Sequence, residues 1–253
     1  MSKIIAVSGK GGTGKTSICA LLVRAFKNKG HNQILAVDAD PNANLAELLG
    51  VEIESTIGDI CEEAKTNDSP PAGMTKNEYL RFMLEQMVAE ADGFDLLTMG
   101  RPEGPGCYCY ANNVLRDSLK ILTNNYKLVV IDNEAGFEHI SRKTNLKIDH
   151  LLIICDPTLR GVDTAKKILD LAKSIKLPVK NVYLVLNRVR GKNSSMLEER
   201  IKGLGIKLIA TIDDDEVIIN SAQTDKSVFD LPLECSSFKA VDALTDKLIN
   251  GKG

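Results

Sequence analysis

The sequence predicts a single α/β domain, with a mainly parallel sheet of about seven strands and helices on both faces. Three observations carry that expectation. An apolar run at the amino terminus leads through a glycine-rich loop into a helical segment. Apolar runs then alternate with helical segments nearly end to end, without a repeat, a low-complexity tract or a long linker. The most central of these runs lacks polar alternation, which marks a strand buried on both faces.

Taken in order, Lys3 to Val7 reads as the first strand, and Ser17 to Lys29 carries apolar residues at helical spacing. Gln33 to Val37 is the second strand, ending in Asp38-Ala39-Asp40-Pro41. Residues 52–78 are polar, with a loop signal over Asn67 to Gly73, and an amphipathic helix is expected from about Lys76 to Val88. The span 52–90 therefore reads as an excursion from the sheet or a lid. Asp95 to Met99 is the third strand and runs into a Gly/Pro-rich loop over 100–110; a helix from Ala111 to Asn125 follows. Leu128 to Ile131, Leu151 to Cys155, Val182 to Leu186 and Lys207 to Thr211 supply four more strands. Helices are expected over Val162 to Ile175, Ser195 to Lys202 and Ser237 to Asn250.

Bulk properties bound the partners. At 253 residues and 43% hydrophobic, the chain has material for one sizeable core over 1–253. A net charge of -2 supplies no global attraction to nucleic acid or an anionic membrane. No apolar run approaches the roughly 20 residues that span a bilayer, and the amino terminus enters a strand directly. The expectation is a cytoplasmic protein with neither nucleic acid nor membrane as partner. In a reducing compartment its six cysteines are thiols unless metal-bound.

Gly9-Lys10-Gly11-Gly12-Thr13-Gly14-Lys15-Thr16 satisfies the phosphate-cradling pattern G-x-x-x-x-G-K-[ST], between a strand and a helix as that pattern requires. Glycines let the backbone aim N–H groups at phosphates, and the first-turn amides, Ser17 included, favour negative charge. Lys15 is expected on the β and γ oxygens and the Thr16 hydroxyl on Mg2+. Asp38, Asp40 and Asp132 each follow a strand end, where such sheets bind ligands. The set predicts binding and hydrolysis of a nucleoside triphosphate.

Lys10 is not needed to build the cradle. With it, the loop resembles the deviant phosphate loop of the family that includes cell-division positioning ATPases, plasmid-partition ATPases, nitrogenase iron protein and nickel-insertion ATPases. That resemblance implies a P-loop ATPase that sandwiches ATP in a homodimer, Lys10 reaching the partner subunit's nucleotide. It also implies that Asp40 positions the attacking water, that Asp38 supports Mg2+, and that Asp132 lies in the Mg2+ second shell. Gly136 would belong to the segment that senses the γ-phosphate. Asn187 and Arg188 resemble the adenine-contacting position, an amide offering both a donor and an acceptor. Where family members often carry a proline in the next base-contacting loop, this chain has Thr211-Ile212-Asp213-Asp214-Asp215.

Cys107-Tyr108-Cys109 selects among roles for such an ATPase. A single C-x-C lacks the four ligands Zn2+ usually takes, and from spacing alone two ordinary thiols fit as well. A twofold axis would supply four thiolates, suited to nickel, zinc or copper(I). The segments Gly104 to Cys109 and Asp132 to Arg142 resemble the CooC-type carbon monoxide dehydrogenase maturation ATPases and their acetyl-CoA synthase counterparts. What this implies is ATP-dependent insertion of Ni2+ (or Zn2+ held at the same site) into a carbon monoxide dehydrogenase or acetyl-CoA synthase client. His139 reads as a helix-surface or switch-supporting residue; Cys19 and Cys155 read as core thiols, and Cys61 and Cys235 show no partner in sequence. Two other roles compete: a partition or positioning ATPase, and an ATP-driven Fe-S electron donor.

Overall fold

A computed structural model describes residues 2–66, 73–74, 82–83, 86–101, 107–133, 146–221, 224 and 226–250, with backbone alone at 63–66, 107–110 and 221. The sheet has eight strands in the order β3-β4-β2-β5-β1-β6-β7-β8. In chain order these are β1 (Lys3–Gly9), β2 (Ile34–Asp38), β3 (Val88–Ala91), β4 (Phe94–Thr98), β5 (Leu128–Asp132), β6 (Ile148–Cys155), β7 (Val179–Val189) and β8 (Lys207–Asp213). Every neighbouring pair is parallel except β3 against β4. All seven expected strands are present. The eighth, β3, is a short antiparallel edge strand whose first residue, Val88, the sequence pattern had placed at the end of a helix.

The helices are α1 (Lys15–Asn28), α2 (Leu45–Leu49), α3 (Ile57–Thr66), α4 (Cys107–Leu122), α5 (Leu159–Ser174), α6 (Ser195–Lys202), α7 (Glu216–Ser221) and α8 (Ser236–Asn250). A 3-10 turn spans Val228–Asp230. Two apolar layers sandwich the sheet. Ile5, Val7, Ala36, Val130 and Ile154 face α1, α2 and α8; Ile4, Ala6, Val37, Ile131 and Ile153 face α3 to α6. Successive residues of a strand point to opposite faces, so each central strand must be apolar throughout to serve both layers.

Some elements depart from the sequence expectation. α4 begins at Cys107 rather than near Ala111, so the cysteine pair opens a helix instead of sitting within the 100–110 loop. The 52–90 span is tied down at both ends: Ile57, Ile60 and Cys61 of α3 enter one core layer, and β3 joins the sheet. Within that span, 67–72, 75–81 and 84–85 lie outside the described residues. α2 and α7, at five and six residues, are too short to show an amphipathic period.

Candidate nucleotide site

The glycine-rich loop leaves the carboxyl end of β1, with β5 on one side and β6 on the other. The Thr13 backbone N–H and Oγ1 both donate to the Lys10 carbonyl, at 3.3 and 2.8 Å, closing the turn. Gly14 caps α1 with φ 87. A Cβ there would stand 2.4 Å from Asn187 Nδ2, and one at Gly9 would stand 2.4 Å from the Ile154 carbonyl oxygen. The loop is therefore pressed against β6 and β7; space dictates both glycines, and at Gly14 the backbone angle does as well. Gly11 and Gly12 are exposed, Thr13 and Lys15 are buried, and Thr16 and Ser17 are half-buried at the start of α1. Lys10 is exposed.

The strand-end carboxylates converge behind the loop. Register pairs Thr98 with Asp38 and Asp38 with Asp132, so the three stand in one row across β4, β2 and β5. Asp38 is fully buried, and its two oxygens accept from the Asp40 and Leu45 backbone amides at 3.1 and 2.8 Å. It thus shapes the turn that carries Asp40 and starts α2. Burial pushes the Asp38 carboxyl up to about 6 against the pull of those amides. Asp40, half-exposed, accepts from the Asn42 backbone and side-chain amides through Oδ1.

Thr16 lies near Asp132, whose Oδ1 is buried with no hydrogen-bond partner among the described residues. Burial drives its carboxyl up to about 7; the Asp38 and Asp40 charges push the same way, against Thr16 and Lys15. Burial raises the Cys19 thiol, and the nearby Asp132 and Asp38 charges push the same way. Cys19 is a fully buried core thiol, as expected, and lies close to the Asp132 carboxylate. Its position one helical turn after Thr16 is the sequence signal that places it there.

A cavity of about 320 Å³ opens beside the loop, lined by Gly14, Ser17, Ile18, Asn187, Arg188 and the Asp213–Asp215 run among others. This suits a nucleoside, with apolar Ile18, Leu21 and Ile212 against a ring and carboxylates at its edge. Asn187 is buried and its Nδ2 donates to the Thr13 carbonyl at 2.8 Å, linking the cavity to the phosphate loop. A bulge places it there: between Leu186 and Val189 the β7 register slips against β8, and Arg188 takes φ 59, rare for a side-chain-bearing residue. Asp215, which the sequence did not single out, accepts at Oδ2 from Cys235 Sγ (3.1 Å), Ser236 Oγ (2.7 Å) and the Ser237 amide (2.9 Å). Those bonds hold its carboxyl well below the usual range and pin the cavity wall to the start of α8.

The structure therefore brings the phosphate loop, Asp38, Asp132 and Asn187 into one site, with Asp40 on the turn beside it. Cys107 and Cys109 lie apart, on the helix α4 that packs on the opposite face of the sheet from α1. Their side chains, and all of Gly136, His139 and Arg142, lie outside the described residues. Cys19, Cys61, Cys155 and Cys235 are buried and unbridged. No helix among the described residues is long and apolar enough to cross a membrane.

Residues 4–228 match the CobQ/CobB/MinD/ParA nucleotide binding domain. An uncharacterized ATP-binding protein of Methanocaldococcus jannaschii is 44% identical over 252 residues, spanning 98% of this chain and 99% of that protein. The carbon monoxide dehydrogenase accessory protein CooC of Rhodospirillum rubrum is 32% identical over 244 residues, 91% of each chain. Among solved structures, the cell division ATPase MinD of Pyrococcus furiosus aligns over the whole of both chains, with TM-score 0.74 and 25% identity. From the phosphate loop, its row of strand-end carboxylates and these matches, the chain belongs to the CobQ/CobB/MinD/ParA nucleotide-binding family and is a P-loop ATPase.

Proposed function

We propose that this ATPase is a nickel-handling maturation factor, a homodimer that carries nickel on Cys107 and Cys109 of both subunits and delivers it to carbon monoxide dehydrogenase or acetyl-CoA synthase. The observation that supports it best is the placement of the thiol pair, in a chain 32% identical to CooC. Cys107 and Cys109 open α4, and only residues 123–127 separate that helix from β5, which ends on Asp132. Sixteen residues of helix span roughly 24 Å, so one helix-and-strand unit joins the cysteines to the Asp132 carboxylate near Thr16.

On this reading the loop amides from Gly11 to Ser17 and Lys15 bind the phosphates, and Asn187 and Arg188 hold the base. Asp40 positions the attacking water. Lys10, exposed in the single chain, crosses to the partner's nucleotide. Thr16, Asp38 and Asp132 fit magnesium: Asp132 keeps a buried carboxylate oxygen without a partner among the described residues, and the Thr16 hydroxyl lies near it. When bound, Mg2+ neutralises charge on the β and γ phosphates. ATP-driven closure then changes the four-thiolate site through α4, and hydrolysis resets it. Such coupling requires nickel affinity to differ between nucleotide states.

The test is anaerobic metal analysis with light-scattering mass on wild type and the Cys107→Ala/Cys109→Ala double variant, each with ADP and with a non-hydrolysable ATP analogue. About one nickel per wild-type dimer is expected from four shared thiolates, changed by nucleotide and absent from the variant. Nickel retained by the double variant, or equal affinity in both nucleotide states, rules the reading out.

A further inference from the structure

A second cavity, of about 250 Å³, lies between the starts of α5 and α6. Arg188, Arg190 and Lys192 line it together with Pro157, Leu159 and Ser194, and no carboxylate does. We infer that this cavity is a docking site for an acidic, partly apolar segment of a partner protein. That the partner is the client enzyme rests on the function proposed above; the chemistry of the cavity does not.

Three features lead to this assignment. First, two of its three cations have no ion pair among the described residues. Arg188 and Lys192 are exposed and have no ion-pair partner among the described residues, and Arg190 holds Asp214 at 2.5 Å while its side chain stays 82% exposed. Second, Arg188 sits at φ 59 at the β7 bulge, in the left-handed region that a residue with a Cβ rarely adopts. Strain of that kind persists where a site needs it. Third, the cavity shares a lining residue with the nucleoside cavity. Arg188 lines this cavity, the 320 Å³ nucleoside cavity and the groove over Asp156 and Asp214 that lies between them. A segment seated here touches the residue that also borders the base.

The chemistry favours a peptide over nucleic acid. A nucleic acid strand repeats its charge roughly every 3.4 Å and needs an extended cationic track. Here three cations crowd one small cavity, beside a groove over Asp156 and Asp214, on a chain of net charge -2. Two carboxylates on a short segment match Arg188 and Lys192, and the Pro157, Leu159 and Leu197 surfaces accept an aliphatic side chain between them.

The test uses a short fluorescein-labelled peptide of glutamate and leucine, its glutamine counterpart and a labelled DNA duplex, each titrated with the full chain and read by anisotropy. The glutamate peptide is expected to bind saturably and to weaken as salt rises from about 50 to about 200 mM, as exposed charge pairs do. The glutamine peptide should not bind. Lys192→Glu, a change at an exposed side chain without a partner, should reduce glutamate-peptide affinity about tenfold, and Arg190→Gln/Lys192→Gln at least as much. Binding of a fluorescent ADP, unchanged in both variants, reports an intact fold. Equal peptide affinity in wild type and Lys192→Glu, no binding by a chain that still takes ADP, or tighter binding of the duplex each overturns the inference. Cysteine-dependent nickel binding would survive such a failure, so the two readings fail separately.

Discussion

Asp132 is the residue at which the site's electrostatics conflict most. It is buried, within the field of Asp38 and Asp40, and its carboxyl is pushed up to about 7. An unfolded aspartate ionises near 3.9, so between about pH 4 and pH 7 the native state holds a proton that the unfolded chain has released. That contribution to stability is complete below the unfolded value and is lost as pH rises through the folded one; Asp38, pushed up to about 6, acts in the same direction. In nucleotide-free protein, the stability of wild type minus that of Asp132→Asn should therefore fall from about pH 4 to about pH 7, followed by urea unfolding. A difference that is flat or rises over that window contradicts the account. Asp132 was legible in sequence as a strand-end carboxylate, whereas its closeness to Cys19 was not. The helix of Cys19 and the strand of Asp132 are more than a hundred residues apart and meet only because α1 lies across β5.

At the scale of elements, the loop between β1 and α1 is stiffened from outside. Asn187 on β7 grips the Thr13 carbonyl and leaves no space for a Cβ on Gly14. Gly14→Ala should lose at least about 1–2 kcal/mol from its left-handed backbone alone, more if Asn187 is displaced. Gly11→Ala meets nothing within 4 Å and should melt close to wild type. Thermal unfolding of the two variants separates these cases, and equal losses would show that the grip is unimportant. The long buried strands were readable because each alternates between two apolar layers and so appears as an unbroken apolar run. β3 was not: four residues with one β-branched side chain carry too little pattern, and its identity comes from pairing with β4.

At the scale of the whole molecule, every candidate nucleotide residue lies at the carboxyl edge of the sheet, and Lys10 stands exposed there without an ion pair among the described residues. A lysine that completes a neighbour's site predicts a specific dissociation of effects. Lys10→Ala should retain ADP binding, because the loop amides and Lys15 remain, yet lose ATP turnover by 100-fold or more, roughly the loss seen when one transition-state charge contact is removed. Phosphate release alongside light-scattering mass with an ATP analogue checks this. Turnover near wild type would end the cross-subunit role.

The sequence by itself determined the layered α/β architecture, the phosphate loop, and the strand-end aspartates, because each depends on local pattern: two-sided burial, glycine spacing, a charge where an apolar run stops. Tertiary structure decided which of these meet. It took the sheet order to place Asp38 beside Asp132, a bulge in β7 to turn Asn187 onto Thr13, and the packing of α8 to give Cys235 and Asp215 to each other. It also set Cys107 at the head of a helix and Arg188 at the junction of two cavities. Such contacts join residues far apart in the chain, and no local periodicity records them.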